Sequence, residues 1–162
     1  MRTRTVLTTG VVAAVLTLTL PFSAQARETE SISRSLFDAT PERTVSSLRI
    51  DGPTAGPLGG ALDLTLTATD GSLPTERGTS EPVDVTAVLT LSPGEVLTIT
   101  TTGEASVHPF GDVLTVNAYF DKKDVTYDGT EHKKVKVVGD GLIAAGHQWY
   151  GGQASVSATY AW

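Results

Sequence analysis

The sequence predicts an all-β, antiparallel β-sandwich of immunoglobulin-like or jelly-roll type, with about seven to nine strands. Three observations carry that expectation. Apolar residues recur at every second position in several separate runs. Glycine and proline punctuate the gaps between them, and no stretch keeps the 3.6-residue period of a long amphipathic helix.

The first 26 residues stand apart from this pattern. Arg2 and Arg4 form a short basic region, Val6 to Leu20 is apolar-biased, and Ala24-Gln25-Ala26 follows Pro21 with the small-x-small spacing that signal peptidase accepts. About 15 such residues fall short of the roughly 20 that span a bilayer, so residues 1–26 read as a signal peptide cleaved before Arg27, not as an anchor. Thr3 separates the two arginines, so there is no adjacent twin-arginine pair. Residues 27–43 are polar at first and without period. They read as a flexible N-terminal arm, with Leu36-Phe37 able to dock on the domain. Residues 44–162 then form one domain.

Within it, Leu62, Leu64 and Leu66 alternate with Asp63, Thr65 and Thr67, and Val83, Val85, Ala87, Leu89 and Leu91 with Asp84, Thr86, Val88 and Thr90. The same holds for Leu114, Val116, Ala118 and Phe120, and for Ala154, Val156, Ala158, Tyr160 and Trp162. Each run fits a strand with one buried and one wet face. Three turns set expected registers. A two-residue turn at Asp128-Gly129 would pair Asp124 with Lys133, Asp121 with Lys136 and Phe120 with Val137, matching charge and apolar partners. A turn at Gly151-Gly152 would pair Trp149 with Ala154, His147 with Val156, Ala145 with Ala158 and Ile143 with Tyr160, placing Trp149 in the core. An odd loop at Pro93-Gly94 would set Leu91 against Leu97 and Leu89 against Ile99.

Composition removes whole classes of chemistry. There is no cysteine, hence no disulfide scaffold, thiolate zinc site or cysteine nucleophile. Twelve Lys and Arg face 18 Asp and Glu, for a formal net charge of −6, which loss of Arg2 and Arg4 makes more negative. Such a chain suits no nucleic-acid partner. No Gly-x-Ser-x-Gly, His-Glu-x-x-His or Walker loop occurs. His108, His132 and His147 share no local spacing, so no metal site is expected from them, and no cofactor. Asp121, Asp124, Asp128 and Glu131 cluster in sequence but are too few for the six to eight oxygens of calcium, and their expected roles are turn and ion-pair formation. The lysines among residues 122–136 read as a charge-laced ribbon that resists edge pairing.

Two segments remain as candidate sites. His147, Gln148, Trp149 and Tyr150 bring aromatic faces and polar tips to one hairpin, suiting a sugar ring or a protein surface, with Tyr150 on the wet face. The long loop Asp70–Pro82 offers Arg77-Gly78 to a trypsin-like protease, although nothing in the sequence braces it. The expectation is a secreted, extracellular, non-enzymatic domain that binds a glycan, cell-wall component or protein. Alternatives are a protease inhibitor using residues 70–82, a small hydrolase using paired carboxylates, and a small outer-membrane β-barrel closed by the Trp162 strand. The barrel would need apolar outer faces where this sequence carries threonine and charge.

Overall fold

A computed structural model of the chain describes residues 29–55, 60–111, 113–148 and 151–162. Residues 1–26, read from sequence as a signal peptide, therefore lie outside the described residues, as do Trp149 and Tyr150. The fold is all-β and antiparallel. Its strands are β1 (Thr29–Ala39), β2 (Glu42–Arg43), β3 (Ser47–Pro53), β4 (Ala61–Ala68), β5 (Ser80–Ser92), β6 (Glu95–Val107), β7 (Leu114–Phe120), β8 (Val125–Gly129), β9 (Lys136–Val137), β10 (Gly141–Gln148) and β11 (Gly151–Ala161), with a 3-10 turn at Lys122–Asp124 before β8. All eleven join one sheet, in the order β1-β11-β10-β7-β6-β5-β4-β3-β2, with β8 on β6 and β9 on β11. The sheet curls into a half-barrel. There are more strands than expected, and the curl of one sheet encloses the core where a sandwich would use two. Strands as long as β5 and β6 accumulate enough twist to wrap. The bridge between Ser35 and Ala55 brings the β1 end of the sheet toward the segment after β3.

The predicted alternation decides which face is inside. Leu62, Leu64, Leu66, Val83, Val85, Ala87, Leu89, Leu114, Val116, Ala118, Phe120, Ala154, Val156, Ala158 and Tyr160 all lie in one buried apolar cluster. Tyr160 is fully buried. Its hydroxyl has no hydrogen-bond partner among the described residues, and burial raises its pKa. On the outer face Arg49 reaches Asp63 through two hydrogen bonds, Nε to Oδ1 at 3.0 Å and Nη2 to Oδ2 at 2.7 Å. Asp63 is the first cause of a raised guanidinium pKa, though so exposed a pair adds little stability.

Several expected pairings change. Residues 29–39, read as part of an arm, form β1 along the whole of β11, with Ile32 and Leu36 buried. The wet-looking serines of this segment disguise a strand whose inward positions are Ile32, Arg34 and Leu36. The Asp128-Gly129 hairpin does not form. β7 covers only Gly103–Val107 of the long β6, which leaves Glu95–Ile99 with open backbone groups, and β8 takes them, pairing Leu97 with Tyr127 and Ile99 with Val125. β9 instead extends β11, Val137 opposite Tyr160 and Lys136 opposite Ala161. Asp121 then caps the 3-10 turn: its Oδ1 accepts from Lys123 N at 2.8 Å, and Asp124 Oδ2 accepts from Asp121 N at 2.8 Å. Asp128 lies opposite Val96 on β8, so the acidic cluster read in sequence disperses.

The β10–β11 hairpin pairs Gln148 with Gly151, so Ala145 meets Ala154, Ile143 meets Val156 and His147 meets Gly152. This is an even shift from the expected register, and it keeps every side chain on its predicted face. The pairing of Trp149 with Ala154 is lost, because Ala145 holds that place. The β5–β6 hairpin likewise pairs Leu89 with Leu97 and Ala87 with Ile99, with a bulge between Thr90 and Ser92 that absorbs the extra residue Leu91.

The β6–β8 pairing is directly testable in a chain without cysteine. Paired Cα atoms stand about 4.5–5.5 Å apart, within disulfide range. The double variant Thr98→Cys, Thr126→Cys is expected to oxidise to an intramolecular crosslink, seen as faster migration on a non-reducing gel. Asp124→Cys, Lys133→Cys is expected to remain reduced. The opposite result would restore the hairpin.

Candidate binding site

Strand alternation that buries one face presents the other to solvent, and the registers align that outer face into rows. Glu104 on β6 stands opposite Asn117 on β7, Asn117 opposite Ala144 on β10, Ala144 opposite Ser155 on β11, and Ser155 opposite Ser35 on β1. One row along lie Ser106, Thr115, Gly146 and Gln153; on the other side lie Tyr119, Leu142, Ser157 and Ser33. Outward along β10 after Leu142 come Ala144 and Gly146, which lay almost no side chain on the surface.

The result is a furrow. A groove of about 420 Å³ is bordered by Phe37, Asn117, Ala144, Gly146 and Gln153, and one of about 450 Å³ by Thr102, Glu104, Asn117 and Tyr119. A third, of about 600 Å³, is bordered by Asp84, Thr102, Tyr119, Asp121, Lys123 and Asp140. Asn117 borders the first two and Tyr119 the last two, so the three adjoin. At about 4.8 Å per strand step, the row from Ser35 to Glu104 runs roughly 20 Å. Two exposed rings stand along it, Tyr119 at 70% and Phe37 at 60% exposure. Phe37 follows the buried Leu36 in the alternation of β1 and is exposed, at the start of a bulge before Ala39 where Asp38 has φ 55°. Thr101 Oγ1 donates to the Tyr119 carbonyl at 2.8 Å, and Ser106 and Thr115 share a hydroxyl contact of 3.0 Å. The remaining wall is hydroxyl, amide and carboxylate, with the Lys123 ammonium beside Asp121 in the third groove.

Of the sequence-predicted residues, His147 and Gln148 lie on β10 beyond Gly146, Trp149 and Tyr150 lie outside the described residues, and Arg77 and Gly78 lie in a separate turn. His147 is half-buried on β10 opposite Leu114 and Gly152, and Gln148 pairs with Gly151, one step beyond Gly146 and Gln153. Arg77 and Gly78 lie in a tight turn: Thr79 N donates to the Glu76 carbonyl at 3.2 Å and Gly78 has φ 76°. The loop is braced at both ends, contrary to its appearance in sequence. Leu73 N donates to the Val45 carbonyl at 2.8 Å with its side chain buried, and Gly78 N donates to the Val107 carbonyl at 2.9 Å. The furrow residues Asn117, Tyr119 and Gly146 were missed by motif reading. An aromatic at a wet position of the Leu114–Phe120 alternation was the legible sign.

A second cluster fills the space between β8 and β9, which do not pair. Glu95 is nine-tenths buried there. Its Oε2 accepts from Ser92 Oγ at 2.8 Å and its Oε1 from the Tyr127 hydroxyl at 2.9 Å. The Tyr127 oxygen accepts in turn from His132 N at 3.2 Å. His132 Nε2 lies 3.8 Å from Glu95 Oε1, and its ring stacks on Trp162 with centroids 4.3 Å apart. Burial pushes the Glu95 carboxyl up. Hydrogen bonds from Ser92, Glu131 and Tyr127 and the charge of His132 outweigh it and hold the group below its ordinary range. Glu131 moves the other way, raised first by its hydrogen bond to Glu95 and then by that carboxylate's charge.

No family model, curated protein or solved structure matches the chain.

Proposed function

We propose that the mature chain is an exported, non-enzymatic domain that binds a neutral polysaccharide chain along the outer furrow of β1, β11, β10, β7 and β6. The observation that carries this reading is the furrow itself: an extended trench floored by Ala144 and Gly146, with exposed rings at Tyr119 and Phe37 between hydroxyl and amide groups. Sugar rings stack their C–H faces on aromatic side chains and offer hydroxyls to such neighbours. The carboxylates of Asp84, Glu104 and Asp140 along the walls, with the negative net charge, repel anionic polymers and favour uncharged ones.

Other readings find less support. Arg77 sits in a closed turn, whereas a protease cleft takes its target extended, as an added strand. Carboxylate oxygens of Glu95 and Glu131 lie within 4.8 Å of each other, closer than the roughly 5 Å or more that separates a glycosidase pair. An apolar interior with a polar outer face is the reverse of a lipid-embedded barrel, and no helix among the described residues is long and apolar enough to cross a membrane.

The test is a binding panel of neutral, amino-sugar and anionic polysaccharides with purified residues 27–162. Saturable retention on at least one neutral polymer, with none on the anionic polymers, is expected. Retention on anionic polymers alone, or on no polysaccharide, would overturn the reading.

A further inference from the structure

We propose that Glu95, Glu131 and His132 form a site for a divalent transition metal of the zinc class, which clips the link between β8 and β9 onto β6. It lies away from the furrow and stands independently of the glycan reading. The donor set is mixed, two carboxylate oxygens and one imidazole nitrogen, all within 4.8 Å of one another. Borderline ions such as zinc take this combination, at about 2.0–2.2 Å from each ligand, and leave a fourth position for water. Hard ions such as magnesium and calcium prefer oxygen alone.

Two features build a site here that a chance gathering of surface acids would lack. Glu95 is nine-tenths buried, and Ser92 and Tyr127 hold one oxygen each, the outer support that orients a ligating carboxylate. His132 is held as well, by its backbone bond to Tyr127 and by the stack on Trp162. The place in the fold gives the ion a task. β8 belongs to β6 and β9 to β11, so residues 130–135 cross an opening in the sheet with no ladder of their own. A metal joining Glu95 to residues 131 and 132 closes that long loop, in an exported chain with no cysteine to close it by a disulfide.

The experiment is calorimetric titration of untagged residues 27–162 with Zn²⁺, using Mg²⁺ and Ca²⁺ as hard-ion controls. One-to-one Zn²⁺ binding is expected, at least tenfold weaker in Glu131→Gln and in His132→Gln, with both hard ions at least tenfold weaker in the native chain. Glu131 is exposed and His132 half-buried, so both variants are expected to fold, and circular dichroism melts check this. A second readout uses the stack. In a Trp149→Phe background, Co²⁺ is expected to quench the fluorescence of Trp162, and His132→Gln to abolish the quenching. Native protein binding Zn²⁺ no better than the two variants, or quenching that survives His132→Gln, would overturn the site. Calcium binding as tight as zinc would overturn its assignment to the zinc class.

Discussion

Phe120→Ala is expected to cost about 3–5 kcal/mol of folding stability, the range for deleting a buried aromatic ring. Phe120 is buried at the end of β7, and its register partner across the ladder is Gly141 on β10. A Cβ built at Gly141 would collide with the Phe120 ring, so the ring itself covers the glycine backbone. When the ring is removed, the partner has no side chain to move into the void, which puts the cost at the upper end. The same contact predicts coupling. Gly141→Ala alone forces the ring to shift and destabilises; in the Phe120→Ala background it is expected to be nearly neutral. Urea unfolding of the two single variants and the double variant measures this. A loss below about 1 kcal/mol for Phe120→Ala, or strictly additive effects, would contradict the packing described.

Gly146→Trp is expected to abolish glycan binding and leave the fold intact. Nothing lies within 4 Å of a Cβ placed at Gly146, and the residue is not among the glycines with positive φ, so a side chain enters open space without backbone strain. Glycine inside a strand is weakly destabilising, and tryptophan is a good strand former, so the thermal midpoint is expected to hold or rise. The new indole would occupy the trench between Thr115 and Gln153. Binding is expected to fall at least about a hundredfold, which corresponds to roughly 2.8 kcal/mol. Arg77→Ala, in the distant turn, is expected to change nothing. If Gly146→Trp bound as well as the native chain, the ligand would lie elsewhere.

The inner face of this protein is legible from sequence because alternation survives errors of register. The predicted pairings at Pro93-Gly94 and Gly151-Gly152 are each displaced by an even number of residues, and Leu89, Ile143 and Val156 still point inward. Which strand neighbours which is harder, because local complementarity competes with open backbone at a distance. Asp124 with Lys133 and Phe120 with Val137 satisfy each other locally. The unpaired Glu95–Ile99 edge of β6, far away in sequence, wins β8 because exposed N–H and C=O groups cost more than two surface ion pairs return. β1 was hidden for a related reason: Ile32 and Leu36 are too sparse to mark a strand until β11 is there to receive them.

The sites follow the same division. The aromatic hairpin at residues 147–150 was found by composition, but the furrow beside it depends on five strands lying side by side, which no local motif encodes. Tyr119 was visible as an aromatic at a wet position; Ala144 and Gly146 matter by what they lack. Glu95, Glu131 and His132 are spread over β6 and the 130–135 link and meet only because β8 and β9 go to different partners. Counting histidines alone could not reveal a site whose other two ligands are glutamates.

The most direct test of the furrow is an amide chemical-shift map of ¹⁵N-labelled protein titrated with a soluble fragment of the polymer it retains. The account predicts saturable shifts concentrated at Asn117, Tyr119, Ala144, Gly146 and Ser155, which share one outer strip of the sheet. Shifts confined to the Arg77 turn, or to the buried residues of the half-barrel, with that strip silent, would contradict it.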